Sequence, residues 1–485
     1  MGIVTNQSFK NTITTYLGFA IGALNTLYLY VFFISDVHYG LISFMLSTAT
    51  IMMPIMAFGV HNTLVKFYST FKTKNSLNSF MTLMLILPLS LIIPIGLIGL
   101  VAYGNIADLL SQRNPIIGNY VWYIYLAAIA MAYFEVFFAW SKVQMQTVFG
   151  NFMKEVFHRV GVMLLLFSVY LEWLSVEQFI NGIVIVYILK MLIMKLYAFN
   201  LKFPVLKFQR IQKVSEILKY AALIIIAGSV ATLILDIDKF MLGQYIPIEE
   251  VAYYGVAIYI ATVIAVPSRS MQQILQPLTA KFLNDKNLEA LEDLYKRSTL
   301  TLYVIGGLIF LLILLNINQL YETIPETFRG GLVVVFLISL AKLYDNLMAC
   351  NNSILFNSEY YRMVLVFGVI LTIMIVVLNM IFIPMYGING SAFATFIAIS
   401  VYNTIKIYFV KQKYQMSPFT IETAKVSAII ILVFVLCYFW EFPFHPILNI
   451  ILKSTLIVGI YLFVVYRLGI SEDISGMIKK YLRLK

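Results

Sequence analysis

Charged side chains stand where the surrounding sequence is apolar enough to cross a membrane. A charge at the centre of a membrane helix costs about 2.5–3.5 kcal/mol on insertion scales, so each such residue needs a reason. Lys342 and Asp345 lie midway along one apolar stretch at i,i+3 spacing. On a helix they share a face and neutralise one another; a structural ion pair and a role in cargo or proton handling fit equally well. Arg269 follows Pro267 and stands beside Gln272, Gln273 and Gln276. Proline bends a helix, and a guanidinium grips phosphate with two parallel hydrogen bonds. Arg269 is therefore assigned to cargo contact, with snorkelling as the alternative. Lys190 sits about ten residues inside its stretch, roughly 15 Å at 1.5 Å per residue, beyond easy reach of water. Glu135 is the acid deep in the first part of the chain. Two roles fit it: pairing with Lys190, or carrying a proton.

The elements that must position these residues are apolar segments of near-spanning length, running from Ile13 to Arg467 with short loops between them. A span needs about 20 apolar residues to cross roughly 30 Å of hydrocarbon, and within lipid it must be a helix to satisfy its own backbone. The expected spans are 13–34, 40–60, 79–102, 119–140, 156–173, 179–200, 217–237, 251–277, 299–320, 331–353, 363–383, 388–410, 424–441 and 447–467. Composition agrees: 61% of the residues are hydrophobic and 12% charged, where a soluble domain would be about a quarter charged. The formal net charge of +11 belongs to loops held on the cytoplasmic side and not to nucleic-acid binding.

Lys66, Lys72 and Lys74, then Lys142, Lys154 and Arg159, then Lys202, Lys207, Arg210 and Lys213 fall in alternate loops, as do Lys281, Lys286, Lys296 and Arg297, Lys411 and Lys413, and the tail from Lys479 to Lys485. The opposite loops hold little beyond Arg113, Lys239 and Arg329. Both termini are therefore expected in the cytoplasm, and the first span serves as its own insertion signal. The connection Lys281–Arg297 places Phe282, Leu288, Leu291, Leu294 and Tyr295 at helical spacing, as in an amphipathic helix lying on the membrane face. Cys350 and Cys437 fall inside spans without paired spacing, which argues against a disulfide framework or a metal site. No cofactor is expected.

A shift of 215 residues lays His38-Tyr39-Gly40-Leu41 on Tyr253-Tyr254-Gly255-Val256, each opening a span that contains a proline, Pro54 or Pro267. Asn181-Gly182 and Asn389-Gly390 open spans six and twelve in the same way. The fold class expected is an all-α polytopic membrane protein of about fourteen helices. It comprises two pseudo-repeated six-helix lobes, 1–212 and 213–415, with two C-terminal helices and a basic tail at 416–485. Parallel repeats of this kind place a transport site near mid-membrane. Asp238 and Lys239 end span seven near the periplasm and are expected to form a gate contact between the lobes, with Asp36 as the first-lobe counterpart. Asp236 and Asp238 point about 200° apart on a helix, which disfavours a shared metal ion.

The stretch Leu378-Asn379-Met380-Ile381-Phe382-Ile383-Pro384-Met385-Tyr386-Gly387-Ile388-Asn389-Gly390-Ser391-Ala392, continued by Ala394-Thr395, resembles a junction of the polysaccharide-exporter flippases. These belong to the multidrug/oligosaccharidyl-lipid/polysaccharide exporter superfamily. Asp238-Lys239 before Val251-Ala252-Tyr253-Tyr254-Gly255, the Asn352–Arg362 stretch, and Gly40 with Gly59 resemble other passages of that family. Lys239 stands where Arg is common, and Ser391 replaces an Ala. The resemblance covers essentially the whole chain. It implies a flippase for an undecaprenyl-pyrophosphate-linked oligosaccharide in the bacterial cytoplasmic membrane, serving surface-polysaccharide synthesis by alternating access. It also implies membrane lipids as surroundings, a polysaccharide polymerase or assembly proteins as partners, and a monomer. The interior cations Lys190, Arg269 and Lys342 suit a pyrophosphate headgroup. With no GxxxxGK[ST] loop, energy must come from an ion gradient or product pull. An ion-coupled small-molecule exporter on the same scaffold is the first alternative and predicts an acid-dominated cavity. A membrane glycosyltransferase or polymerase is the second, and the short outer loops offer it few catalytic groups. An enzyme is not expected.

Overall fold

The computed structural model describes residues 2–209, 211, 213–227 and 230–476. Arg210, the tail lysines from Lys479 onward and the side chain of Gln273 lie outside the described residues. Among the described residues there is no strand, and each of the fourteen expected spans falls on helix. This is an all-α, multi-pass membrane protein. Eleven helices among the described residues are long and apolar enough by themselves to cross a bilayer. The difference from fourteen has physical causes. One helix, Tyr361–Tyr414, carries two spans; the span expected at 156–173 is shared by the π-helical turn Met153–Phe157 and the helix His158–Tyr170. The span expected at 217–237 falls on Val214–Ala227 and Val230–Tyr245.

Local chemistry sets several ends. Ser35 caps the helix Asp36–Met56, and Ser175 with Gln178 forms a capping box at the start of Val176–Leu201. The long helix Tyr361–Tyr414 breaks at Gly387, whose φ of 57° and ψ of −134° only glycine adopts without strain. Three residues later, a Cβ on Gly390 would collide with the Phe382 carbonyl. The family-like junction is thus a one-residue turn between two packed helices.

The chain divides into two compact units, Met1–Gly255 and Val256–Lys485. The first is built on a core of Leu64, Phe80, Phe134, Phe138, Trp140 and Met194. Val214–Ala227 and Val230–Tyr245 pack within it, against Val60–Phe67 and Asp36–Met56 respectively. The second gathers around the helix Leu288–Glu322, which packs on Ile421–Tyr438 and Pro446–Arg467 through Leu311, Val433, Ile457 and Tyr461. Each unit contains one proline-associated break of the sequence repeat. Asp36–Met56, with Pro54, gives way at Phe58 (φ 50°) and Gly59 (φ 61°) to Val60–Phe67. Ile248–Thr262 passes through a 3-10 turn at Val263–Ala265 into Val266–Asn284.

The connection at 281–297 differs from expectation. Residues 288–297 are the first turns of the 35-residue helix Leu288–Glu322, with Leu291 and Tyr295 fully buried. Of the apolar positions read as a membrane-facing stripe, Leu288 is exposed, while Phe282, Leu291, Leu294 and Tyr295 pack with Ile354, Phe367 and Val410.

Candidate functional site: a basic cluster in each unit

In the first unit, Val121–Lys142 and Val176–Leu201 pack along one another. Ala127, Ala128, Ala130 and Ala132, all buried on the first of these helices, keep that surface small enough for neighbouring helices to come close. Val121–Lys142 carries Glu135 and Val176–Leu201 carries Lys190. The π-helical turn Met153–Phe157 brings Lys154 and Glu155, and the following helix brings His158 and Arg159. Such turns are often found at functional sites.

Glu135 is bonded to Lys154, Nζ to Oε1 at 2.6 Å, and not to Lys190. The Lys190 ammonium instead stands 4.4 Å above the ring of Phe134, the neighbour of Glu135, and 5.5 Å from that of Tyr187. Lys190 is buried and makes no ion pair among the described residues. Arg159 holds the Glu155 carboxylate at 3.2 Å and its carbonyl at 2.7 Å. Lys142 stacks on Phe138 at 4.0 Å and acts on Glu135 from the same helix. Lys142, Lys154, Arg159 and Lys190 against Glu135 and Glu155 make four cations to two carboxylates, an excess of two. The Nδ1 atoms of His61 and His158 are buried there without hydrogen-bond partners.

In the second unit, Leu332–Asn346 packs on Tyr361–Tyr414. Lys342 and Asp345 form the i,i+3 pair expected from their spacing, at 3.1 Å. The other Asp345 oxygen accepts from Asn403 Nδ2 at 2.8 Å. One turn beyond Asn403 is Lys406, 1% exposed, with its ammonium 4.3 Å above the Tyr402 ring and Asp345 as the acid that acts on it. Two lysines therefore surround one carboxylate. Sequence reading missed Lys406, because a lysine close to the basic inner end of a span looks like an anchor. The signal that could have exposed it is Asn403, a polar residue one turn earlier on the same face. Lys154 was missed for the same reason. Lys453, in the last span, is also buried, at 2% exposure.

Arg269 is exposed and makes no ion pair among the described residues. The Gln272 side chain is engaged elsewhere. Gln272 donates to the Ala349 carbonyl at 2.6 Å and accepts from Ser353, while the Gln276 carbonyl accepts from Asn357. They tie the helix to the break in span ten, where Ala349 has a positive φ of 34°.

The expected gate residues sit at one end of the first unit. Asp36 accepts from the Tyr253 hydroxyl at 2.7 Å, and fully buried Asp238 accepts from Tyr254 at 2.7 Å. Lys239 is half-buried and acts on Asp236. Adjacent helix positions point apart, which is why Asp238 meets Tyr254 while Lys239 acts elsewhere. Asn114, not singled out in the sequence, donates from Nδ2 to the carbonyls of Gly243 and Ile246 at 2.7 and 2.9 Å. Gln244 returns a bond to the Leu110 carbonyl at 3.3 Å. A Cβ on Gly40 would collide with the Ile248 carbonyl, so only glycine fits that approach. Among the described residues no three His, Cys, Asp or Glu side chains converge as a metal site.

The chain is thus a helical membrane protein with basic residues buried in both units. Residues 7–283, more than half of the chain, match the model of the polysaccharide biosynthesis protein family, and the chain belongs to that family. Its fold is similar to that of the lipid II flippase MurJ in an inward closed conformation, with TM-score 0.74 and 14% identity over 94% of this chain and 98% of that one. It is also similar to an inward-facing multidrug resistance MATE family transporter of the MOP superfamily, with TM-score 0.59 and 14% identity over 86% and 95% of the two chains. The MATE multidrug transporter DinF-BH has TM-score 0.59 and 13% identity, over 85% and 95%. No curated protein matches the sequence.

Proposed function

We propose that this protein flips a lipid-linked oligosaccharide, an undecaprenyl-pyrophosphate-linked sugar unit, across the bacterial cytoplasmic membrane by alternating access. Its termini would lie in the cytoplasm, and it would supply surface-polysaccharide synthesis without catalysing a reaction itself. The observation that supports this most is the pair of buried lysines outside any ion pair, Lys190 in the first unit and Lys406 in the second. A buried cation inside a membrane is costly unless something anionic comes to it, and a pyrophosphate carries that charge. Lys342 and Arg269 would add contacts to the headgroup, and the prenyl chain would remain in lipid. The lobes 1–212 and 213–415, with 416–485 appended, would be the moving parts, except that Val214–Ala227 and Val230–Tyr245, packed within the first unit, would move with the first lobe. Asp36, Asp238 and Lys239 would close the periplasmic end, Asp36 through Tyr253. Glu135 and Asp345 are the candidates for ion coupling.

The similarity to MATE transporters favours a second reading, export of small organic cations. That chemistry needs free carboxylates, whereas Glu135 and Asp345 are each bonded to lysine. The deciding experiment is translocation of a fluorescent prenyl-pyrophosphate oligosaccharide in proteoliposomes, with Arg269→Ala and Lys342→Ala alongside wild type. Loss in both variants supports the reading and the site. Flipping that survives both keeps the function and removes these residues from it. No flipping with several glycans moves the reading to the exporter.

A further inference from the structure

The first unit holds a cavity of about 110 Å³ at the end that carries Asn114, walled by Asp36–Met56, Leu89–Val101, Tyr103–Ser111 and Val121–Lys142. Met52, Gly99, Ile106, Leu110 and Trp122 line it. The hydroxyls on its walls are already used within the chain. Tyr103 donates to the Gly118 carbonyl at 3.0 Å, Tyr125 to Ile92 at 2.7 Å, and Thr48 to Phe44 at 2.7 Å. The rest of the lining is predominantly apolar, and an apolar cavity of this order, about 150 Å³ in a known case, takes hydrocarbon. The helix that contributes Gly99 is lipid-facing on its other side. Ile93, Leu97 and Ile98 are 54%, 56% and 60% exposed there, and Val101 is 90% exposed. The cavity is not enclosed, and one of its walls is thus a helix whose outer face meets the bilayer.

We propose that the acyl chain of a bilayer phospholipid inserts here and packs against Ile106 and Leu110. Leu110 also presents the carbonyl that accepts from Gln244, and Asn114, which grips Gly243 and Ile246, follows four residues later. The chain thus fills the space behind the contact that holds this end of the unit together. The proposal does not depend on the identity of the cargo, so it stands or falls separately from the flippase reading.

The test uses the full-length protein in nanodiscs of phosphatidylethanolamine and phosphatidylglycerol, with a trace of phospholipid bearing a diazirine at the end of one acyl chain. Photolabelled positions are mapped by mass spectrometry. Label is expected on Gly99, Ile106 or Trp122 at several times the density found on lipid-facing Leu432. A Cβ on Gly99 meets only the Trp122 ring, at 3.6 Å, so Gly99→Phe grows into the cavity and should cut that label at least fivefold while Leu432 is unchanged. Ile106→Trp fills the space from a second wall and carries the test if Gly99→Phe does not fold. Label no denser than at Leu432, or unchanged in a folded cavity-filling variant, overturns the proposal. So does label obtained only from a diazirine prenyl phosphate, which would make the occupant the cargo's chain.

Discussion

Lys406→Met separates a binding lysine from a structural one, because the two assignments predict opposite signs. Lys406 is 1% exposed, and its ammonium rests on Tyr402 at 4.3 Å. Methionine keeps most of the volume and removes the charge. Replacing buried ionic groups by apolar ones of similar size is neutral or stabilising by about 1–4 kcal/mol, against a lost cation–π contact worth roughly 0.5–2 kcal/mol. Asp345 is not orphaned, since Lys342 and Asn403 still hold it at 3.1 and 2.8 Å. The net expectation is a gain of about 1–2 kcal/mol, which raises the melting temperature by roughly 2–8 °C for a unit of this size. A hydrogen bond to a charged group contributes about 1.5–3 kcal/mol, so flipping should fall by roughly ten- to a hundredfold. Melting of the purified protein and flipping in proteoliposomes are measured on the same preparation. A variant that melts lower and flips normally would refute the assignment, for Lys406 would then be part of the scaffold.

Lys190→Met should move the same two observables in the same directions, since Lys190 is buried with its ammonium against the rings of Phe134 and Tyr187; a fall in melting temperature would mark it as structural. Asn114→Ala removes the partner of one buried and one part-buried carbonyl and should cost about 2–4 kcal/mol. If the contact opens during transport, labelling of a cysteine placed at Ser47, buried on the helix Asp36–Met56, should also rise, and unchanged labelling would reduce Asn114 to a helix cap. Glu135→Gln should lower stability by only about 1 kcal/mol, because Lys154 is 44% exposed and water screens it once unpaired. If Glu135 couples protons, wild-type flipping should respond to an imposed pH gradient and the variant should not. A wild type indifferent to the gradient ends that role.

The helices were legible in the sequence because lipid imposes one rule on the backbone and one length on the span. The breaks were legible where proline or glycine marked them, as at Pro54, Pro267 and Gly387. The segment 281–297 was misread because an amphipathic stripe looks the same whether lipid or protein covers it. Pairings among the charges were least legible. The Lys342–Asp345 pair follows from helical spacing alone. Glu135 meets Lys154 across two helices because a π-helical turn sets the lysine's direction, and the sequence carries no sign of such a turn. Asn114 was hidden for a related reason. It satisfies the end of a helix more than a hundred residues away in the chain, and only the packed unit brings the two together.

The break at Gly387 bears on how the chain enters the membrane. A connection of one residue leaves no slack for the first arm of Tyr361–Tyr414 to settle in the bilayer before the second turns back. Backbone freed at that point must find its partners within the pair, since hydrocarbon offers none. The two arms should therefore leave the insertion machinery together, and chains truncated just before Gly387 should integrate less well than chains ending after Tyr414. Assembly of the second unit would then proceed by hairpins, with the small residues around Gly390 acting as the closure that makes each pair fit for lipid.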